Sequence, residues 1–97
     1  MSKPSYSEDI SRFVADLRYG APPQEAVDAA KRHLMDIVGV GLIGSRQDMA
    51  RRALAGISAL PGATGEAQVW GSERRLAAPY AALVNGVATH VLDFDDT

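Results

Sequence analysis

The chain has 97 residues, which is enough for one domain or for part of one. Its net charge is −2 with both signs mixed, so the composition does not point to a nucleic acid or to an anionic membrane surface. It has no cysteine, which excludes disulfides, thiolate catalysis and a cysteine-ligated iron–sulfur cluster within these residues. No apolar signal-peptide core follows the first residues, and the longest uncharged apolar run, 37–45, is far shorter than the ~18 residues of a membrane span. We therefore expect a soluble, cytoplasmic protein.

The first helix is predicted by a capping box and an apolar stripe. Ser5 and Glu8 have the spacing at which each side chain can bond to the other residue's backbone N–H. Apolar residues follow at i, i+3, i+4 and i+7, and Gly20 marks the end. These four residues are Ile10, Phe13, Val14 and Leu17. The pattern indicates a packing helix without a catalytic role.

A second helix is predicted to open at Pro22-Pro23 and to keep a helical period from Val27 to Gly41. Residues 34–44 are apolar on nearly every side, and such a helix needs cover all round. The other predicted helices are too few to provide it. We expect a partner chain, or sequence outside this chain, to cover the segment.

The same segment also permits a different interpretation. Gly39, Gly41 and Gly44 satisfy G-x-G-x-x-G, the fingerprint of dinucleotide-binding domains, with 34–38 as the preceding strand. Against it, Asp36 would lie in a strand buried on both faces, and no acidic residue ends the second strand. The competing interpretation is that these glycines let helices approach closely near a helix end.

The middle of the chain predicts a third helix and one short extended piece. The third helix runs from Asp48 towards Leu60 and is closed by Pro61-Gly62, and its arginines are expected on a solvated face. These are Arg51 and Arg52, and Arg46, just before the helix, is expected on the same solvated face. Residues 67–70 are predicted to be extended, with Trp70 as a core anchor, between loops at 63–66 and 71–76. Arg74 and Arg75 lie in the second loop, where an arginine can meet a carboxylate substrate or face solvent.

The last stretch carries the chemistry-bearing residues. Pro79 suits the first turn of a helix that we expect to reach Leu92, with Asp93, Asp95 and Asp96 at its acidic end. At about 100° per residue, Gly86, His90, Asp93 and Thr97 share one stripe. Carboxylates at the negative end of a helix are locally unfavourable, and local rules are often broken for function. Crowding raises the pKa of a carboxyl group, so one of these acids is a candidate general acid or base.

The stretch from Ala78 to Thr97 also resembles a known motif. It reads Ala-Pro-x-Ala-Ala-Leu-x-Asn-Gly-x-x-x-His-x-Leu-Asp-Phe-Asp-Asp-Thr and is similar to the motif of the MmgE/PrpD family. Weaker similarity extends through 13–14, 31–44 and 69–71. The family includes 2-methylcitrate dehydratase, cis-aconitate decarboxylase and iminodisuccinate epimerase. Its members are several times longer, so the chain resembles the N-terminal part of their helical domain.

The resemblance implies lyase chemistry on a small di- or tricarboxylate without a cofactor, in enzymes that are commonly homodimers of an all-helical domain with an α+β lid. It places Asp93 and Thr97 in the active site, and we add His90 as a catalytic candidate and Asp96 as a substrate-binding candidate. The family site needs further histidine and lysine residues that this chain does not contain. We therefore expect a truncated member that is inactive in isolation.

The residues together predict an all-α fold in which 1–97 form one partial helical domain of about four helices with one short extended piece. Three other functions stay open. The apolar second helix could make the chain a helical homo-oligomerisation module without chemistry. The three glycines could make it a dinucleotide-binding domain. The aspartates could bind Mg²⁺, which prefers carboxylate oxygens. We expect no metal, no nucleic acid and no membrane partner.

Overall fold

The computed structural model describes residues 2–93, and within them four helices and one small sheet follow one another along the chain. The prediction of a mostly helical domain is therefore confirmed. The chain divides into two units, Met1–Lys31 and Arg32–Thr97. In the described part, no helix combines the length and the apolar character needed to cross a bilayer.

The first unit contains helix α1, Tyr6–Asp16, and its start is the predicted capping box. The Ser5 hydroxyl accepts the Glu8 N–H at 3.2 Å, and the Ser5 N–H donates to the Glu8 carboxylate at 2.7 Å. These two bonds satisfy backbone donors that helix geometry leaves open. Leu17 is extended and Gly20 has a φ of +84°, so the helix ends just before Gly20, as the sequence predicts. None of the residues of α1 is buried.

Helix α2, Gln24–Gly44, begins directly after Pro22-Pro23, where the Pro23 carbonyl accepts the N–H groups of Ala26 and Val27. It continues without a break through the glycine triplet, so 34–38 are helical. The dinucleotide interpretation is wrong, because its fingerprint requires a strand followed by a phosphate-binding turn. The unbroken helical period that enters from Val27 was the stronger signal.

The second unit is built around helices α3, Asp48–Ser58, and α4, Ala78–His90, which pack against each other. Between them lie strands β1, Thr64–Gln68, and β2, Arg75–Leu76. The strands pair antiparallel and contact α4. The core of this unit is contributed by the hairpin and α4 and consists of Ala63, Val69, Leu76, Ala81 and Val84.

The hairpin corrects the prediction of a single extended piece. Most of β1 lies in the segment predicted as a loop at 63–66, and β2 lies in the predicted loop at 71–76. The register shifts between Thr64 and Ala67, where Gly65 lies against the backbone of Ala77. A side chain there would collide with that backbone, so the pairing depends on glycine. Neither strand has the period-2 apolar alternation that reveals a strand in sequence.

The glycines at the end of α2 allow the close approach that was the competing interpretation. A Cβ atom at Gly44 would overlap the carbonyl oxygen of Ala88 in α4. One at Gly41 would come within 2.7 Å of the Trp70 ring and 2.9 Å of the Thr89 methyl group. A Cβ atom at Gly39 would have nothing within 4 Å, so this glycine is not needed for the close approach. The close-approach interpretation is confirmed for Gly41 and Gly44.

Candidate functional site

The candidate site lies at the carboxyl end of α4. This helix begins at Ala78, one residue before Pro79, and ends at His90, so it is shorter than the predicted helix to Leu92. Val91 caps it by donating its N–H to the Val87 carbonyl. The chain leaves the helix before its first aspartate, which is the outcome that repulsion between carboxylates and the negative end of a helix favours. His90 occupies the last turn, where an imidazolium interacts favourably with the same dipole.

Asp93 closes the turn that follows. Its N–H donates to the His90 carbonyl at 2.9 Å, and its φ is +58°. Among the described residues it is the one non-glycine residue in the left-handed region. That conformation costs an ordinary L-residue roughly 1 kcal/mol, although aspartate tolerates it better than most. Strained backbone of this kind occurs often at functional sites, and the Asp93 side chain is exposed.

The structure thus brings two predicted site residues, His90 and Asp93, into one turn by a backbone hydrogen bond. The predicted stripe is wrong for Asp93, because a residue in a left-handed turn does not follow the helical period. Asp96 and Thr97 lie outside the described residues, as does Asp95, and the assignment of Asp96 and Thr97 to the site stays a prediction.

Asn85 was missed by the sequence reasoning, and it fixes the hairpin to α4. Its Oδ1 accepts the Trp70 N–H at 2.9 Å, and its Nδ2 donates to the Gln68 carbonyl at 3.1 Å. One side chain therefore satisfies a backbone donor and a backbone acceptor on either side of Val69, which is 2% exposed. The available signal was an asparagine inside an otherwise apolar helix, since such a side chain usually has a specific hydrogen-bond partner.

Trp70 extends this connection to α2. It is half-buried, and its ring lies over Gly41. The prediction of Trp70 as a core anchor is wrong, because the core residue at this point of the chain is its neighbour Val69, which is fully buried. Because Asn85 holds the Trp70 backbone and Gly41 receives its ring, the orientation of α4 depends on contacts made by the hairpin and by α2.

The arginines near the predicted site differ in their surroundings. Arg75 donates to the Glu66 carbonyl at 2.9 Å, so it supports the hairpin. Arg52 lies 3.8 Å from the Asp48 carboxylate on the surface of α3, as expected for a solvated face. Arg46 and Arg51 are also exposed, and both line a cleft beside the hairpin. Within the described residues, no three histidine, aspartate or glutamate side chains are grouped closely enough to hold a metal ion.

The comparisons with known proteins decide the family. The family model described as the MmgE/PrpD N-terminal domain matches residues 8–97. The chain belongs to the MmgE/PrpD family. Human cis-aconitate decarboxylase is 33% identical to it over 94 residues, and the mouse protein of that name is 32% identical over 94 residues. No solved structure gives a significant match.

Each alignment covers 96% of this chain but 19% of the relative. The chain therefore spans about a fifth of the length of these curated MmgE/PrpD proteins. The His90–Asp93 turn lies inside the matched residues.

Proposed function

We propose that the chain forms part of a lyase that acts on small di- or tricarboxylates, of the cis-aconitate decarboxylase or 2-methylcitrate dehydratase type. The observation that carries the proposal is the family match over residues 8–97, together with relatives named cis-aconitate decarboxylase. The left-handed turn at Asp93 supports it, because it presents an exposed carboxylate directly after a helix end.

The proposed chemistry breaks one bond next to a carboxylate. In a decarboxylation the C–C bond to one carboxylate breaks, carbon dioxide leaves, and the electron pair left on carbon takes a proton from an acid. In a dehydration a base removes a proton alpha to a carboxylate, and hydroxide leaves from the neighbouring carbon as water once it is protonated. Both reactions need a group that transfers one proton at a fixed position.

Asp93 is the proposed proton-transfer group, and His90 is the catalytic candidate beside it. The backbone bond between them fixes the start of the Asp93 side chain relative to the end of α4. Thr97 is proposed to donate a hydrogen bond to a substrate oxygen, and Asp96 to contact the substrate.

We further propose that these 97 residues alone do not turn over substrate. Three aspartates repel an anionic substrate, and each like-charge contact at about 4 Å costs ~1 kcal/mol in water and more inside a protein. Lys3 and Lys31, the two lysines, lie far from the motif in sequence. The purified chain at stoichiometric concentration with cis-aconitate or 2-methylcitrate should give no change in double-bond absorbance.

The function itself is tested in a chimera. Residues 8–97 would replace the aligned segment of human cis-aconitate decarboxylase, and decarboxylation of cis-aconitate would be measured. We expect activity in the chimera and a loss of about 10²–10⁴-fold in kcat when it carries Asp93→Asn. Asp16→Asn, which makes the same change at an exposed residue of α1, is the matched control and should retain activity.

Circular dichroism and thermal unfolding of each chimera establish that it is folded. A folded chimera without activity towards cis-aconitate and 2-methylcitrate would contradict the lyase assignment. Equal activity of the Asp93→Asn and Asp16→Asn chimeras would instead show that Asp93 does not take part in the chemistry.

Self-association is a second candidate function, and the exposed apolar side of α2 favours it. On this side, Met35 and Ile43 are 74% and 59% exposed. A groove on this side is lined by Met35 and Ile43 together with Arg32 and Asp36. One cation and one anion one turn apart are self-complementary across a two-fold axis, so a second copy is the occupant that fits.

Sedimentation equilibrium tests this candidate. The wild-type chain should show a concentration-dependent mass, and Met35→Glu should weaken the association. Met49→Glu, which alters a 63% exposed methionine in α3, is the control. A monomer at all concentrations would exclude the homo-oligomer.

A further inference from the structure

A cleft in the second unit has an apolar floor and a cationic rim. Its volume is about 170 Å³, and it opens between the start of α3, the loop that joins β1 to β2, and α4. The floor consists of side chains that are at most 3% exposed, namely Ala50, Val69, Val84 and Ala88. Arg46, Arg51, Ser45 and Ser72 also line it. A space well below the ~300 Å³ of typical sites for drug-sized ligands restricts any occupant to a small molecule.

The charged side chains that line the cleft are all positive. Two of the described lining residues are arginines, and none of them is acidic. Two acidic residues lie close to the lining residues in sequence, Glu73 directly after Ser72 and Asp48 between Arg46 and Arg51, and neither lines the cleft. The Asp48 carboxylate lies 3.8 Å from Arg52. Guanidinium groups bind carboxylate and phosphate oxygens through paired N–H donors. The rim is therefore suited to an oxyanion.

Of the two serines that line the cleft, only Ser72 has a hydroxyl proton available for an anion. The Ser45 hydroxyl donates to the Leu42 carbonyl at 2.7 Å, so its proton is already engaged. The Ser72 hydroxyl accepts the Arg74 N–H at 3.1 Å, which leaves its own proton to donate. Gly71 has a φ of +75° and lies against Ser45, so the hairpin loop and the end of α2 form one continuous wall.

We propose that this cleft binds a small organic anion, with its carboxylate or phosphate group between Arg46, Arg51 and the Ser72 hydroxyl, and its apolar part over the floor. The cleft is separate from the His90–Asp93 turn. Ala88 faces it, and His90 lies two residues further along α4, which is about 200° around the helix. The proposal therefore stands independently of the proposed lyase function.

Trp70 provides the measurement, because it lines the cleft and is the single tryptophan of the chain. Its fluorescence would be followed while citrate or inorganic phosphate is added at constant ionic strength, with sodium chloride as the reference titration. We expect a saturable change that sodium chloride does not produce. The dissociation constant should rise by about tenfold or more in the double variant Arg46→Gln/Arg51→Gln.

The matched control is Arg12→Gln/Arg18→Gln, which removes the same charge from exposed residues of the first unit that do not line the cleft. It should bind as the wild type does, and circular dichroism should show both double variants folded. Amide shifts of Gly71 and Ser72 in nitrogen-15 NMR spectra give a second readout. Saturation by citrate, by phosphate or by both would support anion binding in the cleft and identify the class of anion. No saturation by either anion, or equal weakening in the two double variants, would overturn it.

Discussion

The side-chain amide of Asn85 in α4 accepts the backbone N–H of Trp70 at 2.9 Å, while its NH₂ group donates to the Gln68 carbonyl at 3.1 Å. The two residues are 15 positions apart in sequence. Because Trp70 also contacts Gly41, this amide links the helix that leads to the His90–Asp93 turn with two other elements.

Asn85→Ala should therefore destabilise the second unit. The substitution removes both hydrogen bonds, so the Trp70 N–H and the Gln68 carbonyl must be hydrated instead. We expect a loss of about 1–2 kcal/mol in the free energy of unfolding. Urea denaturation followed by Trp70 fluorescence measures it. Gln24→Ala, which removes the exposed Gln24–Asp28 side-chain bond, is the control and should change stability by less than about 0.5 kcal/mol. Equal effects of the two substitutions would show that the amide contacts do not stabilise the unit.

Two glycines of α2 should respond to alanine with opposite sign. Gly44→Ala places a methyl group against the Ala88 carbonyl and should destabilise by about 1–3 kcal/mol. Gly39→Ala adds a methyl group in open space inside a helix and should stabilise by about 0.5–1 kcal/mol. Thermal unfolding of the two variants beside the wild type is the measurement. Destabilisation by Gly39→Ala would contradict the helical assignment of the glycine triplet.

The left-handed backbone at Asp93 should make the stability of the chain depend on the type of residue at this position. Asp93→Gly relieves the left-handed backbone, so the free energy of unfolding should stay the same or rise by up to about 1 kcal/mol. Asp93→Val should lower it, because a β-branched residue tolerates this φ poorly. Unfolding curves compare the two variants. If valine is tolerated as well as glycine, the turn is not held in the left-handed conformation.

The capping box of α1 gives a local prediction in the first unit. Ser5→Ala removes the bond from the Glu8 N–H and should weaken the helix by about 0.5–2 kcal/mol. Amide hydrogen exchange should speed up at Glu8 and in the first turn. Ser7→Ala, inside the same helix, is the control, and similar exchange in the two variants would remove the capping role.

The helix starts were accessible from sequence because their causes are local. Ser5 and Glu8 satisfy each other within one turn, and Pro22-Pro23 sets the backbone just before α2. The end of α4 was predicted two residues too late. Repulsion between aspartates and the negative end of a helix is visible in the sequence, and it favours an earlier helix end as well as marking a candidate site.

The hairpin was the main error of the fold prediction. β1 contains Gly65 and Glu66 and lacks a run of β-branched residues, so nothing local favours a strand. Its pairing with β2 depends on the bond from the Ala77 N–H to the Ala63 carbonyl at 2.7 Å and on the absence of a side chain at Gly65. Both are contacts between segments that are distant along the chain.

The sequence by itself determined the helical class, the helix starts and the family motif with its candidate acids, because capping, proline geometry and apolar period act within a few residues. The tertiary structure alone decided which glycines of α2 are needed, what Asn85 binds, and that Arg46 and Arg51 border a cleft. The physical reason is that close approach and hydrogen-bond pairing depend on what another segment places opposite each residue. That partner has no fixed spacing in the sequence from which it could be predicted.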